Sequence, residues 1–481
     1  MELQRIDDFE WSVPIGTVEG MRVPGIVFGS EDLARRALDD RAVLQVANVA
    51  TLPGIVDASL AMPDIHWGYG FPIGGVAAFD ADADGVISPG GVGFDIACGV
   101  RLLRTDLSWE PEVRPKIREL VAALGAATPR GTGAGGRLRL TRAEVLRVLR
   151  DGVGFLLDRG VGVPEDAERC EDGGVLREAD PEQVSERAMT RGAGQLGSLG
   201  AGNHFLEVQV VDEILEPVAG NVMGLFEGQV CVMIHCGSRG LGHQVCTDHL
   251  ATMDRLMRSL DIRVPDRQLA CVPLAHEAAR RYLGAMNAAA NFARANRHLL
   301  ADGVRTSFES VFRRSPQSLG VDLVYDVAHN LAKLEEHELD GRRRNLCVHR
   351  KGATRAFGPG HASLPPVYRT IGQPVLIPGS MGTASFVLVG TAEAERKAFA
   401  STCHGAGRAL SRTQARKRIG GRELARQLDE QGIVLAPGSP RLLAEEAPFA
   451  YKDIEEVVRS CEGAGLTRTV ARLRPVGVVK G

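Results

Sequence analysis

Three short stretches of the chain set metal-ligand side chains among glycines: Gly93-Phe94-Asp95-Ile96-Ala97-Cys98-Gly99, Gly202-Asn203-His204-Phe205-Leu206-Glu207 and Cys403-His404-Gly405-Ala406-Gly407. Asp, Cys and His are ordinary donors to transition metals. Glycine lets the main chain approach a ligand that a side chain would hold off. The pattern is most simply read as a metal-dependent enzyme acting on phosphates.

The composition is that of a folded protein: 44% of the 481 residues are hydrophobic and 24% charged, which excludes disordered and collagen-like classes. Glycine, at 57 residues, is well above its usual share, while aromatics make up only 5%. That favours turns and backbone-lined sites over a broad stacking surface. The formal charge of −3 means that an anionic partner must be held by local basic clusters, such as Arg342-Arg343-Arg344 or the stretch from Arg408 to Arg426. The nine cysteines are scattered without CxxC pairs, the N-terminus lacks the basic and apolar regions of a signal peptide, and no run approaches 18 apolar residues. The expectation is a reducing cytoplasm and no membrane span.

No repeat or long low-complexity linker divides the chain, which argues for one large domain over residues 1–481. Residues 74–79 and 86–91 read as strands around the turn 80–85, and 230–234 and 323–327 as two more. Residues 114–124, 141–158 and 274–300 read as helices. Gly131-Thr132-Gly133-Ala134-Gly135-Gly136 formally matches GxGxxG but follows a helix and Pro129 rather than a buried strand, so it is rejected as a dinucleotide site. His235 and His329 fall just past apolar strands, where loops collect functional groups. The tail from Val476 to Gly481 is apolar with one lysine; it is read as frayed or as docked into a sheet.

Asp95, Cys98, His204, His235 and His329 form a plausible mixed ligand set. Cys98 is its least replaceable member, because a thiolate can bridge two metal ions. Such N/O/S ligation suits a catalytic transition metal and leaves Mn²⁺, Fe²⁺ and Zn²⁺ all open.

The strings Met62-Pro63-Asp64-Ile65-His66, Gly68-Tyr69-Gly70-Phe71-Pro72-Ile73-Gly74-Gly75, Gly93 to Arg101, Gly202 to Gln209, His235-Cys236-Gly237-Ser238-Arg239-Gly240-Leu241-Gly242, Pro378-Gly379-Ser380-Met381-Gly382 and Cys403 to Arg408 resemble the RtcB family of GTP-dependent RNA ligases. The resemblance runs from about residue 20 to Lys480. It implies a mixed α/β (α+β) single domain with a central metal-binding cleft. It also implies joining of RNA 3′-phosphate or 2′,3′-cyclic phosphate ends to 5′-hydroxyl ends, with GTP and two Mn²⁺, in tRNA splicing or RNA repair.

On the same basis His404 is the nucleophile that takes GMP from GTP. Asp95, Cys98 and His204 hold one Mn²⁺, and Cys98, His235 and His329 the other. The guanine nucleotide is bound at Asn203, His204, Phe205, Leu206, Glu207, His329, Asn330, Pro378, Gly379, Ser380, Met381, Ser385, His404, Gly405, Ala406, Gly407 and Lys480. Glu207 facing guanine N1 and N2, or Lys480 facing O6, are both open. Glycines 379, 405 and 407 bring backbone N–H groups to phosphate oxygens, and Arg239 and Arg408 are candidates for gripping RNA phosphates. Asp64 and His66 lie in a matching string without a derived role, and His243, His249, His276, His298, His337, His349 and His361 are read as structural or surface residues. An archease-type activator is a possible partner, and a monomer is the default state.

No Lys-based KxDG and no GxxxxGK[ST] loop is present. Two rivals remain. A metallo-phosphoesterase working without GTP would not need His404. An idle RNA-binding protein fits poorly with five ligand positions and few aromatics for base stacking.

Overall fold

Two antiparallel-rich sheets meet at one residue. In the computed structural model, which describes residues 1–131, 133, 135–436, 438 and 440–480, the strand Asp322–Ala328 belongs to an eight-stranded sheet and Asn330–Leu339 to a seven-stranded one, so the chain crosses between them at His329. Thr132 and Ala134 of the rejected glycine-rich string, and Gly481, lie outside the described residues.

The larger sheet runs, in spatial order, Asp322–Ala328, Gly99–Ser108, Gln229–Cys236, Phe205–Ile214, Thr467–Lys480, Ser385–Gly390 and Pro374–Ile377, with Val434–Leu435 added beside Thr467–Lys480. Its central strand Gln229–Cys236 is buried at every position, as its Val-Cys-Val-Met-Ile run requires of a strand covered on both faces. The smaller sheet includes Ile55–His66, Ile73–Asp80 and Arg342–Lys351. Helix Glu277–Phe312, 36 residues long and rich in buried alanine, packs against Gln229–Cys236 and against helices Ile117–Ala127, Arg142–Asp151 and Arg239–Ser259. The fold is mixed α+β, as expected.

Several boundaries move. His235 lies inside its strand rather than beyond it, because it is paired with Val100 on one side and Phe205 on the other. The helix expected over 141–158 stops at Asp151 and restarts as the single turn Gly154–Leu157, since Gly152 takes a left-handed φ of 54°. The strand expected over 86–91 shrinks to Val86–Ile87, followed by a 3₁₀ turn at Pro89–Gly91. The C-terminal residues dock: Thr467–Lys480 pairs with Phe205–Ile214 and Ser385–Gly390. Among the described residues no helix is long and apolar enough to cross a membrane.

Candidate active site

Metal-donor atoms converge where the sheets meet. Asp95, Cys98 and His204 form one group and Cys98, His235 and His329 a second, the donor atoms of each lying within 4.8 Å of one another. Cys98 Sγ is 3.4 Å from His204 Nε2 and 3.3 Å from His235 Nε2; His204 Nε2 lies 2.9 Å from Asp95 Oδ2, and His235 Nε2 is 3.3 Å from His329 Nε2. Each element delivers its donor for a local reason. The Asp95–Cys98 turn is tied by the Cys98 N–H to Asp95 O bond, at 3.0 Å, and by the Ala97 N–H to Asn330 O bond, at 2.7 Å. Antiparallel pairing sets Phe205 beside His235, which brings the Gly202–His204 turn to the same end of the sheet. His204 Nδ1 faces Leu199 O at 2.9 Å, which holds Nε2 toward the cluster.

The electrostatics suit a cation. Burial, with Asp95 beside it, pushes the Cys98 thiol up to about 12, so a thiolate there needs a positive partner. Burial and the neighbouring imidazoles hold His235 and His329 well below the usual histidine range, leaving both rings neutral with lone pairs available. Burial opposes charge on His204, but the Cys236, Cys98 and Asp95 groups outweigh it and raise His204 well above that range. Two donor triads sharing a sulfur are a set that fits a pair of transition-metal ions.

Arg297, unremarked in the sequence, braces this floor. Its Nη1 donates to Ala97 O at 2.8 Å and Cys236 O at 2.9 Å, while Nε and Nη2 engage Asp326 at 2.9 and 2.7 Å. The preceding Asn296 bonds Gly197, Ser198, Cys236 and Gly237.

Asp95, Cys98, His235 and His329 line a cleft of about 590 Å³ that also holds His404, while His204 is buried behind its wall. The His404 ring packs edge-on to His329 with centroids 4.9 Å apart. Asp64, fully buried, supplies the missing role in its string: Oδ2 accepts from the His404 and Gly405 N–H groups at 3.0 and 3.3 Å and lies 2.5 Å from His404 Nδ1, a close contact without a hydrogen bond's alignment. Burial would raise the Asp64 carboxyl, but the His404 charge and bonds outweigh it and hold it below the ordinary carboxylate range. Gly407, at φ 70°, is where the loop touches Asp64: a Cβ there would sit 2.2 Å from Asp64 O. His66 Nδ1 is 3.0 Å from Asp64 O, and burial drives its pKa down to about 3.

Of the expected nucleotide contacts, Asn203, Phe205, Glu207, Asn330, Pro378, Gly379, Ser380, Met381, Gly405, Ala406, Gly407 and Lys480 line the cleft. Leu206 does not, because strand alternation turns it into the hydrophobic core behind the sheet. Ser385 stands behind the wall, accepting from Gly379 N–H at 3.2 Å and Gln209 Nε2 at 2.9 Å. The N–H groups of Gly379 and Gly405 are thus engaged by Ser385 and Asp64. The Asn330 amide bonds Asp95 O at 3.1 Å and Gly352 N–H at 2.8 Å.

Glu207 and Lys480 are both buried on neighbouring strands of the cleft wall, and the Lys480 ammonium lies over the Phe205 ring. Burial lifts the Glu207 carboxyl to about 7 against the pull of Gln209 and Lys480. Arg408 reaches the cleft with its guanidinium committed to Glu446, Tyr451, Glu445 O and Leu410 O. Arg239 stands beside His204 Nδ1 at 3.4 Å and, among the described residues, makes long contacts to Ser198 Oγ at 3.4 Å and Gly131 O at 3.5 Å.

Residues 45–481 match the family model described as tRNA-splicing ligase RtcB. A protein of Thermococcus kodakarensis named tRNA-splicing ligase RtcB is 53% identical over 479 residues, covering 100% of this chain and 99% of its own. One of Archaeoglobus fulgidus with the same name is 52% identical over 479 residues, with the same coverage. A Mycobacterium bovis protein named RNA-splicing ligase RtcB is 55% identical over 439 residues, covering 91% of this chain and 100% of its own. With half of its residues shared along its whole length, the chain belongs to the RtcB family.

Proposed function

We propose that this chain is an RNA ligase, working as one domain, that joins RNA 3′-phosphate or 2′,3′-cyclic phosphate ends to 5′-hydroxyl ends through a guanylylated histidine. The reading is carried by one observation: His404 is held by buried Asp64, with its ring against His329 of the second metal-donor triad. With the buried Asp64 carboxylate facing Nδ1, the tautomer protonated at Nδ1 leaves the Nε2 lone pair as nucleophile. Attack on the α-phosphorus of GTP expels pyrophosphate and forms an N–P bond to GMP. That bond is labile enough to pass GMP to the RNA 3′-phosphate, and the 5′-hydroxyl then displaces GMP as the strands are sealed. A cyclic phosphate is first opened to a 3′-phosphate at the same centre.

Asp95, Cys98 and His204 would hold one Mn²⁺ and Cys98, His235 and His329 the other. Bound there, the ions would neutralise phosphate charge and steady the attacking and leaving oxygens. Glu207, whose carboxyl burial lifts to about 7, and Lys480 are the groups that face the guanine. The RNA-splicing names of the relatives support this substrate class.

Incubation of the purified protein with α-³²P-GTP and Mn²⁺ is expected to leave acid-labile, alkali-stable label on the wild type and none on His404→Ala. An unlabelled wild type, with metal loading and an archease-type activator controlled, would favour hydrolysis of terminal phosphates without GTP.

A further inference from the structure

Among the described residues four Phe, Tyr or Trp side chains are exposed, namely Trp67, Tyr69, Phe226 and Phe449, and two of them line the metal cleft. Trp67 is 47% and Tyr69 37% exposed. Tyr69 meets Phe94 edge-on at 5.3 Å, and Phe94 stacks on His243 at 4.9 Å with 27° between the planes. Phe94 directly precedes the metal-donor candidate Asp95, so the aromatic wall runs up to the donors.

The main chain carrying the two exposed rings is clamped while the rings stay partly open to solvent. Trp67 N–H donates to Asp40 Oδ2 at 2.6 Å. Gly68 exchanges two bonds with buried Gln45, at 2.9 and 2.7 Å, and Gly70 N–H donates to Gln268 Oε1 at 2.9 Å. The Lys351 ammonium bonds Tyr69 O at 2.5 Å. Four side chains thus fix a segment whose own rings pack little, an arrangement that lowers the ordering cost of binding a flat ligand. Arg239 lies four residues before His243 on helix Arg239–Ser259, hence on the same side, and its loosely held guanidinium is next to His204.

We propose that Trp67, Tyr69 and Phe94, edged by His243, form a platform on which an unpaired base at an RNA end stacks, delivering its phosphate past Arg239 to the metal donors. The platform rests on the RNA reading of the same cleft. Stacking on an aromatic face tolerates any base, which suits an enzyme that must accept ends of varied sequence. A cleft that pairs π-faces with cations matches a nucleotide strand, whereas a protein or lipid partner would need a wider apolar surface.

Trp11 and Trp109 are the other tryptophans, so in a Trp11→Phe/Trp109→Phe background the emission reports on Trp67 alone. Two single-stranded oligoribonucleotides, one ending in a 3′-phosphate and one in a 5′-hydroxyl, are titrated separately. Quenching is expected for the strand ending in a 3′-phosphate, whose terminal base sits on the platform. Removing that base, or introducing Tyr69→Ala in the otherwise native protein, is expected to weaken binding about tenfold. Tyr69→Phe should restore binding, and Tyr69→Ala should have little further effect on the strand lacking the base. Emission indifferent to the 3′-phosphate strand overturns the platform, as does a Tyr69→Ala loss equal with and without the base. Labelling of His404 by GTP is read on the same protein without RNA. Label without quenching sinks the platform alone, and quenching without label sinks the guanylylation reading alone.

Discussion

Asp64 holds the His404 loop from behind. Its Oδ2 takes two backbone N–H groups and faces Nδ1, so one buried carboxylate fixes the loop and stands beside that nitrogen. Asp64→Asn would present either an amide donor, favouring the wrong tautomer, or an uncharged oxygen. Labelling of His404 by GTP is expected to slow by about 100-fold, while metal binding, followed calorimetrically, persists; labelling at the wild-type rate would remove Asp64 from this role. Glu207 makes a stability prediction. Its folded pKa, about 7, exceeds the ordinary 4.5. Over that window the unfolded chain gives up a proton that the folded one retains, so the group costs stability as pH rises, up to about 3 kcal/mol in full. Glu207→Gln should therefore gain on the wild type in melting temperature between about pH 5 and about pH 8; parallel profiles would refute the assignment. Neither effect was legible in sequence. Asp64 stands 340 positions from His404, and a carboxylate reads alike whether buried or wet.

At the scale of elements, the long helix is an internal brace. Its apolar spacing announced a helix over 274–300, and the structure extends it to Phe312 because its later turns are still buried. What the pattern did not reveal is that polar Asn296 and Arg297 lie inside, serving the carbonyls that hold the Cys98 turn and the end of the His235 strand. Arg297→Met leaves Asp326 paired with Arg101 alone, at 2.7 Å, and strips two buried carbonyls of their donor. Breaking such a pair costs about 3–5 kcal/mol. The expected result is a lower melting temperature with about tenfold weaker Mn²⁺ binding, measured by calorimetry; unaltered metal affinity would confine Arg297 to stability. His235 was expected past its strand because the apolar run ends at Ile234, yet pairing continues through it: backbone hydrogen bonding is indifferent to side-chain polarity when both neighbours are present.

For the whole molecule, the decisive placement is that of the last strand. Thr467–Lys480 sits inside the eight-stranded sheet, between Phe205–Ile214 and Ser385–Gly390, and brings Lys480 to the cleft beside Glu207. Removing residues 467–481 would expose two strand edges and open the core, so the shortened chain is expected to lose its cooperative melt by circular dichroism and to precipitate. A chain that still melts cooperatively would make the strand an appendage. The cleft itself is a product of global geometry, since His329 is where one sheet hands the chain to the other.

Residue identity alone determined the chemistry available here: soft and hard metal donors, a histidine in a glycine loop, and a set of ordered strings that resemble one family of ligases. Local periodicity marked the elements with the strongest apolar spacing, such as the helix over 274–300 and the strand over 230–234, because apolar spacing is a short-range property, while the α+β class came with the resemblance. Only the tertiary structure decided that Asp64 holds His404, that Arg297 braces the Cys98 turn, and that the Arg408 guanidinium is already occupied. Each of these depends on distances between residues tens to hundreds of positions apart. Such distances are set by how sheets and helices pack, and that packing leaves no mark in any local stretch of sequence.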